Sequence, residues 1–357
     1  MSRVFTVYNC GTNFNRERTD EIIANLAART EGGEHRDWMI TDGVGSTPSS
    51  NPLAMTPGGN GLVQTSNGWM ENDSPRTARL KGILEGYGWE QNVAHALDVI
   101  QAIAVGSNAD WTQSIATPSA INMAGWSRGA VTCHMLAHAL EKHPYLRNIP
   151  VNIFAIDPVP GPDNFHLEQV SLPSNVHHYT ALVMEDECRR IMKPVVFDPS
   201  DDETSGKKFK SIPLPGEHNT AVFWGRSEIG TIAAALAHKF LTKHGTRLRD
   251  PMRLSDLQYC ELYAKVRLDI AKYRERKGSW LQRKLLGTQA RNVANALRDT
   301  AYFINAHHAR RFEKAFPVLW QMLNSGARSL AELSRAAMSL RGLAPTTYQS
   351  LEQVGIL

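Results

Sequence analysis

The residues with the clearest capacity for chemistry lie in Ile121-Asn122-Met123-Ala124-Gly125-Trp126-Ser127-Arg128-Gly129-Ala130-Val131. The run contains G-x-S-x-G between a β-prone apolar stretch and a helical pattern, the setting in which that spacing holds a serine on a sharp turn with its hydroxyl exposed. Glycines permit the tight backbone, and the helix N-terminus offers amide donors and positive potential to an oxyanion. A serine hydroxyl becomes a useful nucleophile only when a base takes its proton and a further group fixes the tautomer of that base. In parallel-sheet enzymes with a nucleophile on such a turn, the acid and then the histidine follow it, each after a later strand. Asp157 closes the run Val151 to Ile156, and His218 follows the run Lys208 to Leu214 in Pro215-Gly216-Glu217-His218-Asn219. The order Ser127, Asp157, His218 is therefore the expected one. Asp186, closing His178 to Met184, is the alternative acid, and Asp163 is a weaker one. The oxyanion calls for the amide after the nucleophile, that of Arg128, and a second amide after an early strand. Cys10-Gly11-Thr12-Asn13 is the natural source of the second, with Thr12 as its donor.

These groups need a scaffold, and the first 250 residues supply its pattern. Val4 to Tyr8 ends at Cys10-Gly11-Thr12 and is followed by a helical pattern from Asp20 to Arg29. Ala120 to Ala124 leads into a helix from Ala130 to Lys142. Strand patterns follow at Val151 to Ile156, His178 to Met184 and Lys208 to Leu214, with a helix from about Ser227 to His244. Strands alternating with helices predict an α/β fold, a mainly parallel sheet with helices on both faces. The segment Asp42 to Pro75, dense in Gly, Ser, Asn, Thr and Pro, reads as a long loop, and Asp201 to Lys207 as a polar insertion. Beyond about Asp250 the strand signal stops and helical periodicity takes over. Two domains are expected: a catalytic domain at 1–250 and a basic α-helical region at 251–357.

Charge separates the same two parts. Residues 251–357 hold 17 Lys and Arg against 8 Asp and Glu, a balance of +9, whereas residues 1–250 hold 22 against 27, a balance of −5. Arg267, Arg274, Arg276, Lys277, Arg283, Lys284, Arg291 and Arg298, with Trp280, Leu281 and Leu285 among them, suit an anionic membrane surface or a helical cap on the core. No nucleic-acid-binding motif accompanies them, and no nucleic acid is expected as a partner. The N-terminus lacks the apolar stretch of a signal peptide, and no apolar run is long enough to span a bilayer. The four cysteines are scattered without metal or disulfide spacing. The chain reads as soluble and cytoplasmic in the producing cell, a reading compatible with export that needs no leader. His134 and His138 stand four apart on one helix but without the Glu of a zinc motif, and Asp198 to Glu203 lacks the calcium-loop glycine. Neither a metal nor a cofactor is expected.

Taken in order, several segments resemble the uncharacterised α/β-hydrolase family that includes the lipase effectors of bacterial type VI secretion systems. They are Cys10-Gly11-Thr12-Asn13-Phe14-Asn15, Asp42-Gly43-Val44-Gly45-Ser46, Gly86-Tyr87-Gly88-Trp89-Glu90-Gln91-Asn92, the elbow Gly125-Trp126-Ser127-Arg128-Gly129-Ala130, Ile156-Asp157-Pro158-Val159, Met184-Glu185-Asp186-Glu187-Cys188-Arg189-Arg190 and Pro215-Gly216-Glu217-His218. The resemblance implies an α/β-hydrolase-like fold and favours Asp157 over Asp186 as the acid. It spans roughly residues 4 to 220 and stops short of the basic region. The chain departs from the pattern at Cys10, where the family has Asp, and at Asn219-Thr220-Ala221-Val222, where the family has an Asp-Val-Gly-Gly run. The expected activity is that of a serine ester hydrolase, a phospholipase or lipase acting on membrane lipids and delivered as an antibacterial effector, with an immunity or secretion-apparatus protein as partner. The alternatives are a non-lipid esterase or amidase, or a non-catalytic binding module of the same fold.

Overall fold

The computed structural model describes residues 3–46, 62–65, 68–71, 89–105, 117–161, 166–184, 187, 192–197, 200–202, 207–214 and 216–254, with 258 and 262. Along this chain run β1 (Val4–Asn9), α1 (Ile22–Arg29), β2 (Trp38–Thr41), β3 (Leu62–Thr65), β4 (Gly68–Glu71), α2 (Trp89–Val105), β5 (Ala120–Trp126) and α3 (Arg128–Lys142). They are followed by β6 (Val151–Ile156), α4 (Leu167–Val170), β7 (Val176–Met184), β8 (Ser200–Asp202), β9 (Lys207–Leu214) and α5 (Glu228–Lys243).

One sheet of seven strands has the order β2-β1-β5-β6-β7-β9-β8. Six strands run parallel, and β8 pairs antiparallel with β9 at the edge. Its central strands read as continuous apolar runs because both faces are covered: every residue of β6 is buried. On one face Tyr8, Ala124, Phe154 and Leu182 pack against Ile22 and Leu26 of α1 and Ile232, Leu236 and Phe240 of α5. On the other, Val7, Met123, Ile153 and Val183 pack against Ile100 of α2 and Leu136 and Leu140 of α3. Alternation along each strand thus feeds two separate cores. The result is the three-layered, mainly parallel α/β fold expected from the alternation of strand and helix patterns.

Polar residues interrupt the first core in one row. Thr6, Asn122, Asn152 and His178 occupy matching positions on β1, β5, β6 and β7. The Asn152 amide donates to the Asn122 side-chain carbonyl (2.9 Å), and Asn122 donates to Thr246 Oγ1 (2.8 Å) and to the His244 carbonyl (3.0 Å). His178 Nδ1 donates to Asn152 Oδ1 (2.9 Å). The row joins the middle of the sheet to the chain leaving α5.

Two expectations are corrected. The segment 42–75 is not a single loop, since β3 and β4 within it form an antiparallel pair. The polar insertion around Asp201 is likewise partly strand, with Ser200 to Asp202 laddered to Lys207 to Phe209. In both places backbone pairing organises runs of three or four residues set in polar and turn-forming sequence, too short to stand out as strands. Apart from 251–254, 258 and 262, the helical region expected at 251–357 lies outside the described residues. Among the described residues no helix is long and apolar enough to cross a membrane.

Candidate active site

The parallel strands end together, and between β1 and β5 the chain changes the direction in which it builds the sheet. Crevices at the carboxyl ends of strands at such a point are the usual ligand positions of open α/β sheets. The loop after β1 and the turn after β5 meet there.

Ser127 stands between β5 and α3 with φ 56 and ψ −125. A non-glycine residue here is strained by about 1–3 kcal/mol, so its surroundings must impose the conformation. They do so through close backbone contacts. A Cβ on Gly125 would fall 2.4 Å from the Gly129 carbonyl oxygen, and one on Gly129 would fall 2.1 Å from that of Asn9. The helix thus sits directly on β1 and forces a tight corner. The Ser127 amide donates to the Ile156 carbonyl (2.9 Å), tying the corner to β6.

Asp157 continues from β6, also at positive φ (40°), and is fully buried. Its Oδ1 accepts from the Met184 amide at 3.0 Å, and its Oδ2 lies 2.6 Å from His218 Nδ1. A carboxylate only accepts, so Nδ1 carries the proton and Nε2 of the neutral ring is left as an acceptor. Ser127 Oγ lies 2.9 Å from that Nε2 and donates to it. The structure therefore brings Ser127, His218 and Asp157 into one hydrogen-bonded line, all three at 5% exposure or less. A hydroxyl, an imidazole and a carboxylate linked in this sequence can remove the serine proton during attack on a carbonyl and later return it to a leaving group. Asp186 and Asp163, the other acids considered, lie outside the described residues.

The loop carrying His218 is fastened from several sides. Gly216 takes φ +118, and a Cβ there would meet Thr220 Oγ1 at 2.6 Å. Thr220 donates to the Glu217 carbonyl from its amide (2.9 Å) and its hydroxyl (2.6 Å), and Ser227, the N-cap of α5, donates to the Thr220 carbonyl (2.8 Å). The Trp126 indole stacks on the His218 ring, with centroids 5.1 Å apart and planes at 30°. Phe14 meets the indole edge-on at 4.8 Å.

Arg128 opens α3, so its amide lies in the turn whose N–H groups point out along the helix axis. Its side chain packs inward under the turn after Asp157: Nε donates to the Pro160 carbonyl (3.4 Å) and the guanidinium lies 5.6 Å over the Trp89 ring. Burial lowers the pKa of this guanidinium. Thr12 is in the turn after β1, next to Gly11, whose Cβ would fall 2.0 Å from the Trp126 indole. The Thr12 amide makes no hydrogen bond among the described residues. The turn itself is fixed by Arg16, which pairs with Glu34 (2.6 Å), donates from Nη2 to the Ile40 carbonyl (2.8 Å) and from its amide to Asp42 (2.9 Å). Gly43 follows, with its amide on the Phe14 carbonyl (2.8 Å).

The helical histidines have other tasks. His134 donates from Nδ1 to the Gln169 carbonyl (3.0 Å) and accepts at Nε2 from Tyr179 (3.2 Å), and burial lowers its pKa to about 4. His138 bonds Ser171 (3.0 Å). Sequence reasoning did not single out Trp126, Arg16 or Glu187, whose parts depend on chain segments remote from their own.

The fold and this group of residues define a three-layered α/β protein with a strained serine at a strand-to-helix corner, bonded to a histidine and an aspartate. No family model matches the chain, and no curated protein matches it. Among solved structures it is similar to an uncharacterized protein from Pseudomonas aeruginosa, at 13% identity and a TM-score of 0.42 over 98% of this chain and 63% of that one. It is also similar to the Tle1 effector bound to the VgrG spike from the Type 6 secretion system, at 13% identity and a TM-score of 0.39 over 62% of this chain and 51% of that one. The chain spans less than two thirds of either structure.

Proposed function

We propose that the protein is a serine ester hydrolase acting on acyl esters of membrane lipids, a phospholipase or lipase. The observation that carries the hydrolase reading is the continuous line Ser127 Oγ, His218 Nε2, His218 Nδ1, Asp157 Oδ2, at 2.9 and 2.6 Å. Ser127 attacks the acyl carbonyl while His218 Nε2 takes its proton, and Asp157 keeps the imidazole in the productive tautomer and favours the imidazolium that forms. The oxyanion is met by the Arg128 amide, at the positive end of α3, and by the Thr12 amide. His218 then protonates the departing alcohol, and the acyl group leaves Ser127 by attack of water through the same steps reversed. Nothing in this sequence of steps calls for a cofactor.

The lipid class is supported by the ordered motif segments that resemble the type VI lipase effector family and by the basic balance of residues 251–357. The same resemblance supports delivery by a secretion apparatus and an immunity protein in the producing cell. A serine, histidine and aspartate do not themselves choose the acyl donor. The test is therefore incubation with mixed phospholipids and with neutral and short-chain esters, Ser127→Ala serving as control and products identified by mass. Release of fatty acid and lysophospholipid by wild type alone is expected. Turnover of soluble esters without any lipid product would replace the lipase reading by a general esterase. Equal yields with Ser127→Ala would remove the hydrolase reading altogether.

A further inference from the structure

The chain leaving β7 touches both partners of Ser127. The Met184 amide donates to Asp157 Oδ1 (3.0 Å), and three residues later the Glu187 carboxylate accepts from the His218 amide (Oε2 to N, 3.1 Å). Glu187 is 1% exposed. A carboxylate taken out of water is costly unless hydrogen bonds compensate it, and a buried amide that loses its acceptor is costly too. Each member of this pair therefore constrains the other. Other bonds hold the loop further along: Thr220 to Glu217 and Ser227 to Thr220 within it, and the Ile22 amide to the Val222 carbonyl (2.9 Å) and Trp224 Nε1 to the Thr19 carbonyl (3.1 Å) from the chain entering α1. Glu187, on the chain that leaves β7, instead holds the histidine's own backbone amide.

We infer that Glu187 is a positioning residue: its carboxylate anchors the His218 backbone so that the imidazole spans Asp157 and Ser127. The inference rests on the reading of Ser127 and His218 as nucleophile and base. It assigns Glu187 no contact with substrate. Displacement of a catalytic group by about 1 Å can lower turnover about a hundredfold, and an anchor removed from the His218 amide releases a displacement of that order. Because the ring moves and no substrate contact is lost, the loss falls on kcat and leaves KM nearly unchanged. Gln keeps a carbonyl acceptor at the same reach, whereas Ala removes it and Asp shortens it by one methylene.

The test measures kcat and KM on a soluble ester for wild type, Glu187→Gln, Glu187→Ala and Glu187→Asp, together with the downfield proton resonance of His218 Nδ1–H, assigned by its absence from His218→Asn. Expected are a roughly hundredfold fall in kcat for Ala and Asp, KM within about twofold, a broadened or lost resonance, and recovery of both readouts in Gln. If Ala does not fold, Asp carries the same comparison. Normal kcat and an unchanged resonance in Ala or Asp would overturn the inference, as would a Gln variant as impaired as Ala. Wild type without Ser127-dependent turnover would instead overturn the hydrolase reading, and the resonance alone would then decide the role of Glu187.

Discussion

Asp157 divides its oxygens between two donors, the Met184 amide and His218 Nδ1. An Asn in its place keeps a carbonyl for Met184 but turns an amide N–H toward the imidazole, which then takes the wrong tautomer for accepting the Ser127 proton. Asp157→Asn is expected to fold normally and to lose about 10⁴ in kcat, measured on a soluble ester alongside thermal melting. Near-normal turnover would move the orienting role elsewhere, with Asp186 the first alternative to substitute. The cysteines do not offer a rival nucleophile among the described residues: burial pushes the Cys133 thiol up to about 12 and raises that of Cys10 well above its usual value. Of the site's side chains, Ser127 announces itself through its own five-residue motif. Asp157 and His218 are legible because each follows a recognisable strand. Glu187 meets His218 from 31 residues away and Trp126 stacks on it across the site, so neither role is written in a local pattern.

The corner at Ser127 is a property of elements pressed together. Gly129 places α3 against the backbone of β1, and a methyl there would meet the Asn9 and Cys10 carbonyl oxygens at 2.1 and 2.5 Å. Backbone cannot rotate out of the way as a side chain can. Gly129→Ala should therefore cost about 1–3 kcal/mol or more in urea melts and displace Ser127; an unchanged midpoint would show that the contact is looser. Helix α1 carries a second testable element. Its N-cap is Glu21, fully buried, with a carboxylate that accepts from the Ala24 amide (2.9 Å). Burial raises its pKa from 4.5 to about 8. The folded protein then holds a proton that the unfolded chain has released, so this contribution to stability is complete below about pH 4.5 and is lost as pH rises through about 8. Glu21→Gln keeps the cap without the titration, and the variant should gain on wild type between pH 5 and 8.5 in denaturant melts. Parallel pH profiles would contradict this. The main strands and helices α1, α3 and α5 were legible because their apolar runs are long and end in turn residues; α2 (Trp89–Val105), the longest helix, was not among the helical patterns read. Strand β2 was not legible either: Trp38-Met39-Ile40-Thr41 is four residues long, and pairing with Thr6 to Asn9 makes it a strand.

The whole chain joins a region of +9 to a larger one of −5. Such polarity can orient a protein toward an anionic bilayer, each basic side chain near the surface contributing about 1 kcal/mol, so three engaged residues strengthen binding by about a hundredfold. Screening confines the attraction to about 8 Å at physiological salt. Binding to phosphatidylserine-containing vesicles is expected to rise with anionic lipid and fall with salt. It should also drop when Arg274, Arg276, Lys277 and Arg283 are neutralised together, while hydrolysis of a soluble ester persists. Undiminished vesicle binding by the quadruple variant would make residues 251–357 a cap on the core. The hydrolase reading presupposes that Ser127 is a working nucleophile, which covalent capture examines without knowledge of the substrate. A fluorophosphonate probe followed by peptide mapping should place one adduct, on Ser127, with labelling abolished in Ser127→Ala and strongly slowed in His218→Ala. An adduct on another serine, or wild-type labelling of Ser127→Ala, would contradict the account.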